Sequence, residues 1–306
     1  MGAIMSKVAM GVFAMSMLGG MALVAAIINI VSWIPGLSRD QIATVSLHCT
    51  QFAWRVALFF SPWVSITMAN PTETNKAYET YSKCLAKFDK TKEKPVFLLG
   101  NHTSFLDTIL TLTCIPTSEV TRCRTYQNAA LLKKPLLSSI CWGCYHFPVH
   151  FKSAEDGKFT LDREKYAIVD KRVDAHIKNK GMIAFFPEGQ INEKPETLLP
   201  FRYGGMKKAL INDACLFFLV TKGNAKVWPR SAPIGGFPGS VKWTFVCLAE
   251  DGCQKLVADV KKNKGKLKEI ECNGDSPDHV ILANYCRAAM QDVVDNLHES
   301  DNKKTK

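Results

Sequence analysis

The sequence predicts an α/β protein: a mostly parallel sheet flanked by helices, preceded by an N-terminal membrane-anchoring helical hairpin. Three observations predict it. Residues 8–38 contain no charged side chain. Apolar runs at 96–100, 182–186 and 215–221 are continuous rather than alternating, which reads as strands buried on both faces. Segments of helical periodicity separate these runs, and strands alternating with helices build a largely parallel sheet. No internal repeat is present.

The first element is the anchor. Residues 8–31 are nearly all Ala, Val, Ile, Leu, Met, Phe and Gly, and as a helix they rise about 36 Å, enough to cross a hydrocarbon core of roughly 30 Å. A signal peptide has a shorter apolar core, about 7–15 residues. A second apolar stretch, 42–69, carries His48, Gln51, Arg55 and Pro62. Those groups disfavour a clean span and favour a helix lying in the interface, with Trp33, Trp54 and Trp63 at head-group depth. Lys76, Lys83, Lys87, Lys90, Lys92 and Lys94 follow, which by the positive-inside rule puts the main domain on the cytosolic side. The predicted division is therefore an anchor over 1–70 and a catalytic-type domain over 71–306. Met1-Gly2 with Ser6 fits a myristoylation pattern. Lys303-Lys304-Thr305-Lys306 resembles a dilysine retrieval signal of endoplasmic reticulum membrane proteins, and reads equally as a solvated basic tail.

Beyond the anchor, 71–94 reads as a helix plus connector. The buried strand 96–100 is followed by a helix over 104–113, stopped near Pro116. A further helix is expected around 128–132 and a strand within 145–151. Residues 161–180 read as a charged helix with Ala167, Ile168, Val173 and Ile177 on its apolar side, capped by Gly181. Strand 182–186 is broken by Pro187. Helix 206–212 and strand 215–221 come next, then a Pro/Gly-rich loop over 228–239 and a strand at 243–248. Residues 255–270 are Lys-rich and mostly solvated, and 278–297 form an amphipathic helix.

Composition narrows the function. Thirty-nine Lys and Arg stand against 28 Asp and Glu, a net charge of +11. That balance suits a polyanionic partner. No zinc-finger or RNA-binding signature occurs, so nucleic acid is set aside in favour of membrane lipids, where each juxtamembrane Lys or Arg is worth about 1 kcal/mol. Eleven cysteines, an odd number without framework spacing, indicate reduced thiols. Cys141-Trp142-Gly143-Cys144 with His146 lacks a second ligand pair, and Tyr145 separates the second Cys from any haem-type His, so these are read as structural thiols and no metal is expected.

The chemistry concentrates in Asn101-His102-Thr103-Ser104-Phe105-Leu106-Asp107. An imidazole is the side chain able to take a proton from a hydroxyl near neutral pH. A carboxylate on its other nitrogen fixes the tautomer and stabilises the imidazolium. Five positions along one continuous helix turn two side chains about 140° apart. The pair therefore requires His102 in the loop after Gly100 and Asp107 in the first helical turn, where a helix N-terminus also welcomes phosphate. The competing reading makes Asp107 the partner of Ser104 in a capping box and His102 an ordinary loop residue. Downstream, Phe186-Pro187-Glu188-Gly189 places a carboxylate at the C-terminal edge of a sheet, where open α/β sheets bind ligands, and Gly189 permits close backbone approach; a plain strand-ending turn is the alternative. Pro200-Phe201-Arg202-Tyr203-Gly204-Gly205 offers a guanidinium as a phosphate grip, or a solvated surface Arg.

The first of these segments resembles the first motif of the glycerophospholipid acyltransferases, which include the lysophosphatidic acid acyltransferases. Phe186-Pro187-Glu188-Gly189 resembles their third motif, and Pro200-Phe201-Arg202-Tyr203-Gly204 the segment after it. The resemblance spans roughly 95–235, and the two-helix anchor is also similar. It implies that His102 deprotonates a glycerol hydroxyl and that Asp107 orients His102. The alkoxide then attacks the thioester of acyl-CoA, with no metal and no covalent enzyme intermediate. Acyl-CoA enters as co-substrate and a lysophospholipid as acceptor, with Asn101, Glu188, Gly189, Lys152 and Arg202 as the expected substrate-binding set. The expected product is phosphatidic acid from lysophosphatidic acid; glycerol 3-phosphate or another lysophospholipid is the alternative acceptor, and a catalytically silent membrane adaptor the alternative class. Where the second motif of the family ends in Arg, this chain has Phe147-Pro148-Val149-His150, so His150, Lys152 and Arg163 compete for that contact. Gln190-Ile191-Asn192 stands where the family often has Thr-Arg, and no Pro closely follows the strand ending at Val220.

Overall fold

The computed structural model describes residues 3–153 and 159–302. Gly2 and residues 303–306, on which the myristoylation and retrieval readings rest, lie outside the described residues. In chain order the elements are helices α1 (Ala3–Ser32) and α2 (Arg39–Phe59), strand β1 (Val64–Met68), α3 (Pro71–Thr91), β2 (Val96–Gly100), α4 (Leu106–Cys114), β3 (Cys123–Asn128), α5 (Leu137–Gly143), β4 (Phe147–Val149), β5 (Phe151–Ser153), β6 (Phe159–Leu161), α6 (Arg163–Lys178), β7 (Met182–Phe185), α7 (Tyr203–Ile211), β8 (Cys215–Lys222), α8 (Asn224–Val227), β9 (Gly239–Ala249), α9 (Cys253–Lys262), α10 (Lys264–Glu269) and α11 (Asp278–Asn302). The chain divides into two compact units.

One unit comprises the chain up to Pro62 together with Leu112–Ala184. Its N-terminal helix pair has membrane-anchoring character: Ile4–Ser32 is long and apolar enough to cross a membrane. The pair packs closely, since a Cβ added at Gly20 would lie 3.5 Å from that of Ala53; small residues let helices approach this way. A capping box starts α2, with Gln41 N–H donating to Ser38 Oγ and Ser38 N–H to Gln41 Oε1. Two of the polar residues that argued against a clean span, Gln51 and Arg55, serve free carbonyls at and just after the C-terminal end of α4. Gln51 Nε2 donates to Leu112 O at 2.7 Å and Ile115 O at 2.9 Å, and Arg55 to Thr113 O at 3.0 Å. Phe52, Phe59 and Trp33 are left exposed. Strand β3 pairs in parallel with β7 and β4, while β5 and β6 form an antiparallel pair.

The other unit comprises Trp63–Thr111 and the chain from Phe185 onward. Its strands run β1-β9-β8-β2. Pairs β1/β9 and β2/β8 are parallel, and β8/β9 is antiparallel. Every residue of β2 is buried, as are residues 215–221 of β8, which is what a continuous apolar run requires. Helix α3 covers the sheet through aromatic contacts: Tyr78 stacks on Phe245 at 4.3 Å between centroids, and Tyr81 meets Phe217 and Phe245 edge-on. Helix α11 buries Ile281, Leu282, Cys286, Met290 and Val294.

The predicted class is the observed one, a mixed but largely parallel sheet with flanking helices. Four local expectations change. The interfacial helix expected through residue 69 stops at Phe59; Val64–Met68 is instead a strand, its apolar Val64, Ile66 and Met68 alternating with Ser65 and Thr67. The helix near 128–132 is a 3₁₀ turn, Ala129–Lys133, capped by Asn128. The strand within 145–151 is two short ones separated by His150. Gly181 does follow α6, but the left-handed residue is Lys180 (φ +64°). Gly181 N–H reaches His176 O, and any Cβ at Gly181 would meet the His176 ring.

Candidate active site at the end of strand β2

The site is built where β2 ends, and all its central groups belong to the unit containing β2 and β8. Gly100 closes the strand because a Cβ there would sit 3.0 Å from the Phe186 ring and 3.3 Å from Leu219 O. The next residue ties the strand end to β8. Asn101 Nδ2 donates to Thr221 O at 2.8 Å, and Thr221 N–H donates to Asn101 Oδ1 at 2.9 Å. Asn101 is 2% exposed and has its amide committed to Thr221. It thus differs from the expected substrate contact: it holds the loop that follows.

That loop carries His102 and turns into α4 at Leu106. Asp107, in the first turn, is 1% exposed. Its Oδ2 accepts the backbone N–H of Thr103 at 2.6 Å and of Ser104 at 2.8 Å, and lies 3.2 Å from His102 Nδ1. Ser104 Oγ in turn accepts Leu106 N–H at 3.1 Å. The two sequence readings of Asp107, helix cap and imidazole partner, therefore describe one carboxylate in one position. Its other oxygen, Oδ1, accepts from Asn224 Nδ2 and lies 3.5 Å from Thr221 Oγ1.

Burial pushes the Asp107 carboxyl above its ordinary value; the hydrogen bonds from His102, Ser104 and Thr103 pull the other way. N–H donors from Thr103 and Ser104 on Oδ2 and from Asn224 on Oδ1 occupy both oxygens. The arrangement suits the carboxylate. His102 Nδ1 then carries the shared proton, a tautomer assigned from this network, and Nε2 keeps its lone pair. The imidazole is 16% exposed, so it is shielded yet reachable.

Glu188 lies just after β7 and is 1% exposed. Its Oε1 accepts His102 N–H at 2.8 Å, and its Oε2 accepts Asn192 Nδ2 and Leu199 N–H, both at 2.9 Å. Asn192 N–H donates to His102 O at 2.6 Å. The backbone of His102 is thus held on both sides. Glu188 was expected to meet the acceptor; both its oxygens are instead engaged by protein donors. Burial raises its pKa, and the donors from His102, Leu199 and Asn192 oppose that rise. Helix α11 steadies the same loop, with Gln291 Oε1 accepting Leu198 N–H and Arg287 donating to Leu198 O.

Gly189 adopts φ +72°, and a Cβ there would press on Arg202 Cγ at 3.0 Å. Arg202 N–H donates to Pro187 O at 2.7 Å. Its side chain is exposed at the start of α7. Lys152 lies in the other unit, on β5, 61% exposed and 3.9 Å from Asp162 Oδ1. His150 O accepts Asp162 N–H there.

Sequence reasoning missed Phe186, Asn192, Thr221 and Asn224 as members of this cluster. The signal for Asn192 and Asn224 was their place: each falls where the chain departs from the motifs it resembles. Cys141 and Cys144 are buried, with their thiols pushed up to about 12 and about 11 by burial, as inert structural thiols would be. Among the described residues, no group of three or more His, Cys, Asp or Glu is arranged to hold a metal ion.

Residues 74–216 match the family model described as Acyltransferase. Among curated proteins none matches the chain. Among solved structures, the chain is similar to the 1-acyl-sn-glycerophosphate (LPA) acyltransferase, PlsC, from Thermotoga maritima. The TM-score is 0.56 at 14% identity, over 88% of this chain and 97% of that one, a likeness of fold.

Proposed function

We propose that this chain, whose residues 74–216 match the Acyltransferase family model, acylates a glycerophospholipid acceptor from acyl-CoA. The acceptor we assign is lysophosphatidic acid and the product phosphatidic acid. The observation that carries the reading is the His102–Asp107 contact, with both carboxylate oxygens occupied by donors.

His102 Nε2 takes the proton of the acceptor hydroxyl, and the imidazolium is stabilised by Asp107. The hydroxyl oxygen bonds to the thioester carbonyl carbon. The tetrahedral adduct collapses, the C–S bond breaks, and the imidazolium returns its proton to the departing coenzyme A sulfur. Asp107 stays ionised throughout. Glu188 and Asn192 hold the His102 backbone so that Nε2 does not drift between the two proton transfers; a displacement of about 1 Å in such a group costs on the order of 100-fold in rate.

For the acceptor phosphate we propose Arg202. Its guanidinium is exposed, makes no ion pair among the described residues, and stands at the N-terminal end of α7. A planar guanidinium suits phosphate oxygens. Lys152 is the second candidate, already facing Asp162. The anchoring helix and the Lys residues of α3 support a place at a membrane with the catalytic unit facing the cytosol, and we assign the endoplasmic reticulum.

The test supplies the detergent-purified full chain with labelled acyl-CoA and, separately, lysophosphatidic acid, glycerol 3-phosphate and lysophosphatidylcholine. Fastest labelling of lysophosphatidic acid is the expected result. Preference for another acceptor reassigns the substrate, and no transfer to any of them removes the enzymatic reading.

A further inference from the structure

We infer that Asn224 is a positioning residue for the proposed acyl transfer, holding the Asp107 carboxylate in the orientation that aims it at His102. This rests on the reading of His102 and Asp107 given above.

Three observations carry it. First, Asn224 is fully buried, and its amide nitrogen donates to Asp107 Oδ1 and, at 2.7 Å, to Thr221 Oγ1. Without it, Oδ1 would keep only the Thr221 hydroxyl at 3.5 Å, and that hydroxyl also lies 3.3 Å from Asn101 Oδ1. A hydroxyl has one proton to give, so Oδ1 would be a buried carboxylate oxygen with half a donor. Oδ2, by contrast, has three donors of its own.

Second, the carbonyl oxygen of Asn224 has no hydrogen-bond partner among the described residues. A buried unpaired carbonyl costs about 1–3 kcal/mol. The amide nitrogen satisfies Thr221 and Asp107 while the carbonyl is left unpaired, so the side chain is held in this position by its donors, which an apolar side chain of similar size would lack.

Third, the chain makes a special turn to deliver this side chain. Gly223 adopts φ +92°, and a Cβ there would lie 2.1 Å from Ser240 O, so only glycine fits. The turn joins the end of β8 to α8 and places Asn224 against Asp107. This is the segment after Val220 where the sequence departs from the family it resembles.

The titratable groups around the Asp107 carboxylate are His102, from the loop before α4, and Glu188, which reaches the His102 backbone; Lys222 at the end of β8 is turned to Leu297 O. Removing the Asn224 donor makes Asp107 easier to protonate, because burial already disfavours its charge. An Asn224→Asp change perturbs Asp107 in the same direction but through a group that itself titrates. Its carboxyl can donate to Oδ1 only while protonated, and two adjacent carboxylates cannot both ionise freely.

The experiment measures kcat, acceptor KM and the pH–rate profile of Asn224→Ala and Asn224→Asp in the full chain, with thermal midpoints alongside. For Asn224→Ala we expect kcat to fall about 10-fold or more with acceptor KM unchanged, and the acid limb of the profile to move to higher pH. For Asn224→Asp, a near-isosteric change, we expect activity relative to wild type to be highest at low pH and to decline as pH rises. Wild-type kcat and profile shape in both variants, with only the thermal midpoint lowered, would overturn the inference. His102→Ala is measured in parallel. Its loss of turnover beside unaltered Asn224 variants sinks this inference alone, and its retention of turnover sinks the reading beneath it.

Discussion

The ring of Phe186 lies flat on the imidazole of His102, with 4.1 Å between centroids and 11° between planes. The stretch that supplies this ring supplies Glu188 two residues later, whose carboxylate takes the His102 backbone N–H. Ring and backbone of the proposed base are therefore held from one turn. We expect Phe186→Ala to lower kcat about 10-fold with acyl-CoA KM little changed, and to cost about 2 kcal/mol of stability for a half-buried aromatic ring. Steady-state kinetics with a thermal melt check both; unaltered kcat would remove the ring from the account.

Glu188 gives a pH test. Burial raises its pKa above the ordinary 4.5, so the folded protein holds that proton more tightly than the unfolded chain. Its contribution to stability is full below the unfolded value and shrinks as pH rises through the folded one. Glu188→Gln titrates nowhere in this range. The stability of wild type relative to the variant should accordingly be greatest near pH 4 and decline toward neutrality. Activity behaves differently, because Gln brings a donor to an oxygen position that already faces N–H groups; kcat should drop about 10-fold or more at neutral pH. Paired melts between pH 4 and 8 decide the first point, and a relative stability that grows with pH would contradict it.

Much of this was legible in the chain, and the reason differs by element. Strands β2, β7 and β8 announce themselves because burial on both faces demands unbroken apolar runs, and in α/β sheets chemistry collects just after such runs. His102 and Asp107 could be read as a pair because their spacing fits only a loop followed by a helix turn. Strand β1 was hidden by context: its alternation is real, but it follows an apolar helix and borrows that reading. Asn101 and Glu188 were recognisable as important and not as positioning groups, since a sequence does not say which donors will surround a buried oxygen. Thr221 and Asn224 come from a distant stretch of chain and reach Asp107 only through the β2/β8 pairing, a relation that no local pattern records.

Gly189 tests the link between backbone and phosphate grip. At φ +72° an Ala costs about 1 kcal/mol, and its methyl group would press on Arg202 Cγ. We expect Gly189→Ala to raise the acceptor KM several-fold, with the KM for acyl-CoA unchanged. Equal rises in both would place the effect on the whole site rather than on Arg202.

Arg202→Ala should raise the KM for the phosphorylated acceptor about 10-fold or more, with kcat at saturation nearly kept, as expected for a contact made equally in ground and transition states. Lys152→Ala should do less, since the ammonium is solvated and already faces Asp162. The reverse order would move the phosphate to Lys152.

The account turns on whether one side chain carries both proton transfers. The direct measurement is thiol release from acyl-CoA, in the presence of lysophosphatidic acid, by membranes containing wild type or His102→Ala at matched protein level. The account predicts loss of about 1,000-fold or more in the variant, with membrane association and thermal midpoint close to wild type. Turnover within a few-fold of wild type would mean that another group moves the proton, and that the geometry around His102 serves some other purpose.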